Sequence, residues 1–136
     1  MMTHPTHLQF INPPSLFTLP GFTHVVEITG GRTVYIAGQV ALDQSFCIVG
    51  KGDFRAQAQQ VFENLKTSLA AVGTDFMHVV KLNIYLVDMT QLPILAEVRD
   101  RYVNTQYPPA STAVEVRKLA LDDLLLEIEA VVSLPA

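Results

Sequence analysis

Apolar positions along this chain follow two different periods. Phe54, Ala58, Val61, Phe62, Leu65, Leu69 and Val72 recur every three or four residues, which gathers them on one face of a helix. Asp53 offers the short acceptor side chain of an N-cap. Gly73 stands where a helix C-terminus needs a left-handed residue. A second helix is expected after Thr90, running to about Asn104 with the stripe Leu92, Leu95, Val98 and Tyr102. Pro93 falls in its first turn, where a missing N–H is tolerated, and Pro108-Pro109 ends the segment.

Strand-like alternation covers the rest. Val25–Ile28 and Arg32–Val40 read as two strands, joined as a tight hairpin through Thr29, Gly30 and Gly31. Residues 43–52 read as a loop. Residues 79–87 form a third strand with Leu82, Ile84 and Leu86 on one face, and residues 111–116 and 124–132 supply two more. This order predicts an α+β sheet with both helices on one face. In the last strand Leu124, Leu126, Ile128, Ala130 and Val132 form the side the helices can cover. The opposite side holds Leu125, Glu127, Glu129 and Val131, which we group with Tyr35, Ala37, Ala113 and Glu115. A water-facing sheet side is usually uniformly polar. This mixture instead suits a subunit interface with a few charges at a cleft.

Composition sharpens the picture. The 136 residues fit one domain, 1–136, whose first ~20 residues are an extended Pro-rich lead-in (Pro5, Pro13, Pro14, Pro20). Apolar types make up 49%, enough for a real core, and charged types only 16%, against the roughly 25–35% of a well-solvated surface. Part of the surface is therefore expected to be covered by another copy. Nine Lys and Arg against thirteen Asp and Glu give a net charge of −4, and the cations are scattered, so no nucleic-acid footprint is expected. The single cysteine, Cys47, permits neither an internal disulfide nor a Cys-based zinc site. With no secretory signal pattern and no stretch of ~18 apolar residues, a cytoplasmic protein free of the membrane is expected.

Five segments, in order, resemble one family: Ile36-Ala37-Gly38-Gln39, Gln59-Gln60-Val61-Phe62-Glu63-Asn64-Leu65, Val80-Lys81-Leu82-Asn83-Ile84-Tyr85-Leu86-Val87-Asp88, Pro109-Ala110-Ser111-Thr112-Ala113-Val114-Glu115-Val116 and Glu127-Ile128-Glu129-Ala130. Together they look like the Rid family (RidA/YjgF), called L-PSP endoribonucleases in older usage. The resemblance implies a chorismate-mutase-like α+β fold, a homotrimer with a barrel-like core, and small-molecule clefts between subunits. It further implies hydrolysis of reactive enamines or imines to a keto acid and ammonia, without metal or organic cofactor.

The resemblance also implies site residues. The family arginine that pairs with a substrate carboxylate falls at Ser111, where a hydroxyl carries no charge. The family tyrosine near the N-terminus falls at Phe22, which lacks the phenol. His24 follows in the place of a glutamine, read either as a half-buried strand residue or as a titratable cleft group. Glu127 matches the glutamate that positions water, with a satisfied interface carboxylate as the other reading. Glu129 is assigned to packing or pairing. Gly38 and Gln39 match a run that lines the cleft or touches another backbone. Arg99 or Arg101 could restore the charge lost at Ser111, or could decorate the helix in pairs such as Glu97 with Arg101. Cys47 is read as a spectator. The expected function is hydrolysis of an imine or enamine other than a typical 2-imino acid. A metabolite-binding or holdase trimer is the alternative, and an endoribonuclease the reading that the acidic charge disfavours.

Overall fold

The computed structural model describes residues 3–136. Its elements run β1 (Leu8–Ile11), β2 (Val25–Ile28), β3 (Arg32–Val40), α1 (Phe54–Ala71), β4 (Val79–Leu86), α2 (Leu92–Arg99), β5 (Ala110–Glu115) and β6 (Leu126–Leu134). A mixed four-stranded sheet is ordered β3-β6-β4-β5, and β1 and β2 form a separate two-stranded ribbon. Strand β6 pairs antiparallel with β3 and β4 on either side, while β4 and β5 run parallel across the α2 connection.

Helix α1 follows its apolar period. Asp53 accepts the Ala56 N–H at 3.1 Å, which satisfies one of the four open donors of the first turn. Gly73, at φ +74, turns the chain so that Thr74 N–H donates back to the Leu69 carbonyl at 3.1 Å. Phe54, Ala58, Val61, Phe62, Leu65 and Leu69 are buried. They pack on Leu82, Ile84, Leu86, Leu126, Ile128, Ala130 and Val132 of the sheet in one core. Val72 is the exception to the stripe. As the C-cap residue it lies past the last helical turn, and it is exposed.

Four expectations need correction. Gly30 and Gly31 do adopt positive φ, but the strands they join belong to different sheets, since β2 pairs with β1 and β3 with β6. The Leu134 carbonyl presses against the Cα of Gly31, leaving no room for a Cβ. The turn therefore hands the chain from one sheet to the other rather than folding it back. Second, α2 stops at Arg99, short of Asn104. Tyr102 and Val103 N–H groups close turns onto the Arg99 carbonyl, and Tyr102 stacks on Phe62 from that turn. Third, Ala113 and Glu115 face the helices. In a parallel pair, register partners share a side, and these two partner Ile84 and Leu86. Thr112 and Val114, the partners of Asn83 and Tyr85, take the open side instead. Fourth, Glu97 pairs with Arg55 of α1 at 2.6 Å rather than with Arg101.

The open side therefore presents Thr33, Tyr35 and Ala37 of β3, Glu127, Glu129 and Val131 of β6, and Lys81, Asn83 and Tyr85 of β4. Tyr35 is 79% exposed there. Among the described residues no helix is long and apolar enough to cross a membrane.

Candidate functional site

Register brings one group of side chains together. Between Ile36 and Gln39 the pairing of β3 with β6 shifts, so that Ala37 and Gly38 together oppose Glu129. Such a bulge re-aims the local backbone. The Glu127 side chain lies directly over Gly38. A Cβ at that position would come within 2.7 Å of its carboxyl carbon and collide with Oε2. Gly38 is thus the floor on which the carboxylate rests. Gln39 turns its amide onto the Ala37 carbonyl at 3.0 Å, which stiffens the bulge.

Tyr85 of β4 stands directly opposite Glu127 in register. Its phenol reaches diagonally to donate to Glu129 Oε1 at 2.6 Å. That hydrogen bond is the main reason the Tyr85 phenol titrates above its usual value, with the two carboxylates adding to it. Tyr85, Glu127 and Glu129 line a shallow depression of about 360 Å³, closed on one side by Val116, Lys118, Leu119 and Ala120. Lys118 pairs with Asp122 at 3.2 Å on the rim. A half-buried carboxylate beside a phenol–carboxylate pair can orient a water molecule and exchange a proton with it. Tyr85 was not singled out from the sequence. The alternation of residues 79–87 places it on the open side, but its pairing with Glu129 required the register of β4 against β6.

A second group gathers at the start of β5. Thr23 is buried, donates its hydroxyl to the Pro108 carbonyl, and donates its N–H to the Pro109 carbonyl at 3.2 Å. These bonds fix the segment carrying Phe22 and His24 to the Pro108-Pro109 turn that leads into β5. The Phe22 ring meets those of Phe17 and His24 edge-on. His24 Nε2–H donates to the Phe17 carbonyl at 2.6 Å, and its own N–H donates to the Asn12 side chain at 2.9 Å. His24 therefore clamps the lead-in loop. Arg99 reaches the same segment. Its guanidinium packs on Gly21, at φ +101, where a side chain would collide with it, and it also pairs with Asp100 at 3.0 Å.

Within one subunit the two groups stay apart. Ser111 partners Leu82 and faces the helix side, whereas Glu127 partners Tyr85 on the open side. Three residues along and two strands across separate them by roughly 14 Å. Among the described residues no cluster of three or more His, Cys, Asp or Glu could hold a metal ion. Cys47 is exposed in the loop before α1.

Comparison with known proteins agrees with this architecture. The model of the family described as endoribonuclease L-PSP matches residues 16–134. The chain is 40% identical over 98 residues to protein DfrA of Myxococcus xanthus, covering 72% of this chain and 74% of that one. It is 34% identical over 100 residues to the human 2-iminobutanoate/2-iminopropanoate deaminase, covering 74% and 72% respectively. The crystal structure of YyfB from Yersinia pestis, a Rid-family protein of unknown function, superposes with a TM-score of 0.83 at 36% identity, covering 95% of this chain and all of that one. Two helices on one side of a mixed sheet ordered β3-β6-β4-β5 thus make a chorismate-mutase-like α+β fold, and the chain belongs to the Rid family, also known as the L-PSP endoribonuclease family.

Proposed function

We propose that this chain is a cytoplasmic homotrimer whose inter-subunit clefts hydrolyse a small imine or enamine lacking the carboxylate of a 2-imino acid. The observation that carries the reading is the Glu127 carboxylate, seated over Gly38 on the open sheet side beside the Tyr85–Glu129 pair, while the position of the family arginine holds uncharged Ser111. Trimerisation would bring the Glu127 group of one copy to the Phe22–Ser111 group of the next. The exposed Tyr35 and the unpaired outer edges of β3 and β5 favour such an assembly. The human relative's name supports the imine class of chemistry. In the reaction, Glu127 orients water toward the C=N carbon. The water oxygen bonds to that carbon and a proton passes to nitrogen. The hydroxyl proton then moves to nitrogen as the C–N bond breaks, releasing the amine or ammonia and leaving the carbonyl product.

A carboxylate-bearing substrate would lose its bidentate cation at Ser111. Losing such a pair in a desolvated site costs about 2–5 kcal/mol, or roughly 30- to several-thousand-fold. The test is ammonia or amine release by the wild-type protein from 2-aminoacrylate and from a neutral imine of similar size. We expect turnover of the neutral compound, abolished by Glu127→Gln, and little of 2-aminoacrylate. Values of kcat/KM of about 10⁴ M⁻¹s⁻¹ or above on 2-aminoacrylate would overturn the substrate reading. Sedimentation showing a monomer at micromolar concentration would overturn the assembly. The absence of both the arginine at Ser111 and the phenol at Phe22 favours a second reading, a metabolite-binding trimer without turnover. Saturable binding of the neutral imine with no release of product would establish it.

A further inference from the structure

On the helical side, away from Glu127, the segment that follows α1 and the turn that follows α2 enclose an open-mouthed pocket of about 610 Å³. Its apolar wall is Phe76, Met77, Tyr102 and Val103, and its cations are Lys66 of α1 and Arg101. Phe76 and Val103 of this wall are also buried core residues. Tyr102 is fixed rather than adaptable. It stacks on Phe62, meets Phe76 at a tilt, and donates its phenol to Glu63 at 2.7 Å. This size, with an apolar wall and a few convergent polar groups, is typical of small-ligand sites.

The two cations are uncommitted. Among the described residues neither Lys66 nor Arg101 takes part in an ion pair, although Lys51, Arg55, Arg99 and Lys118 all do. The one carboxylate in the lining, Asp75, accepts the Met77 N–H at 2.9 Å. Lys66, Arg101 and Asp75 give the lining one net positive charge, which a monoanion balances, while the Glu63 carboxylate just outside it is taken up by the Tyr102 phenol. We propose that this pocket binds a small amphipathic carboxylate, with its charged head between Lys66 and Arg101 and its apolar body against Phe76, Met77 and Val103. The site is independent of the sheet-side cleft. It lies on the helical side, opposite the sheet side on which the proposed trimer forms.

The probe is 3-phenylpropanoate, titrated into the intact protein and followed by backbone amide shifts. We expect saturation near millimolar concentration, with shifts confined to residues 66, 75–77 and 101–104. The neutral analogue 3-phenylpropanamide should bind more weakly. Lys66→Gln and Arg101→Gln should each loosen 3-phenylpropanoate about three- to tenfold, and Glu127→Gln should leave it unchanged. Both cations are exposed, so these variants should fold. The absence of saturation, equal binding of acid and amide, or an affinity indifferent to both charge removals would overturn the proposal. So would loss of binding in Glu127→Gln, because the probe would then occupy the sheet-side cleft.

Discussion

Gln57 is fully buried in the first turn of α1, where a helix this apolar on its inner face would ordinarily place leucine. Its amide nitrogen donates to the Gly50 carbonyl at 3.2 Å and the Asp123 carbonyl at 2.9 Å. Its oxygen accepts the Leu125 N–H at 2.9 Å. One side chain thus ties the loop before α1 to the segment that leads into β6, two residues ahead of Glu127. Gln57→Leu keeps the volume but removes three hydrogen bonds, orphaning the Asp123 carbonyl and the Leu125 N–H, while the Gly50 carbonyl keeps the Asp53 N–H. At about 1 kcal/mol net per bond, the loss should be about 3 kcal/mol. Gln57→Ala adds a cavity and should cost about 4–5 kcal/mol. Urea unfolding at one fixed protein concentration measures both, because association would contribute otherwise. Hydrogen exchange at Leu125 should accelerate in both variants. A Gln57→Leu protein within about 0.5 kcal/mol of wild type would refute the reasoning, because the freed groups would then have found other partners.

Two further outcomes are expected. Gly38→Ala meets a backbone that accepts alanine but a space the Glu127 carboxylate already fills. Stability should change by under about 1 kcal/mol, while turnover of the neutral imine falls up to about a hundredfold as the carboxylate is displaced; unchanged turnover would remove Gly38 from the site. His78 is held below its ordinary value of 6.5, chiefly by burial, with Asp75 opposing and His7 reinforcing the shift. The unfolded chain therefore takes up this proton first. Its contribution is complete above about pH 6.5 and is lost as pH falls toward the folded value. The melting temperature of wild type should accordingly drop more steeply on acidification than that of His78→Gln.

What the sequence disclosed depended on how local the cause was. Helix α1 was legible because Asp53, Gly73 and the apolar stripe all act within a few residues of one another. The separate pairing of β1 was not. Leu8–Ile11 sits among prolines and polar residues, and its partner β2 lies beyond the whole lead-in loop. The sides of Ala113 and Glu115 were misread because alternation gives two faces but not which one meets the helices. That choice is made by the register with Ile84 and Leu86. Likewise Glu127, Gly38 and Gln39 could be named one by one from the family likeness, yet the seating of Glu127 on the bulge is a property of β3 against β6. Ser111, Phe22 and His24 were named with them, but one subunit gathers those three at a different place. Gln57 shows the converse. A polar residue on a buried face carries no sign of which distant carbonyls await it.

The position of β6 at the centre of the sheet has a consequence for how the chain is made. Ile36 pairs with Ala130, and Leu82 with that same residue from the other side, so both flanking strands are synthesised well before the strand that joins them. At about 5–20 residues per second, β3 waits roughly 5–20 s for its partner. During that interval the apolar sides of β3, β4 and α1 exist without the strand that bridges them. A chain stalled or truncated before β6 keeps these open edges, and it is in that form, rather than as the finished fold, that the protein is most exposed to pairing with the wrong strand.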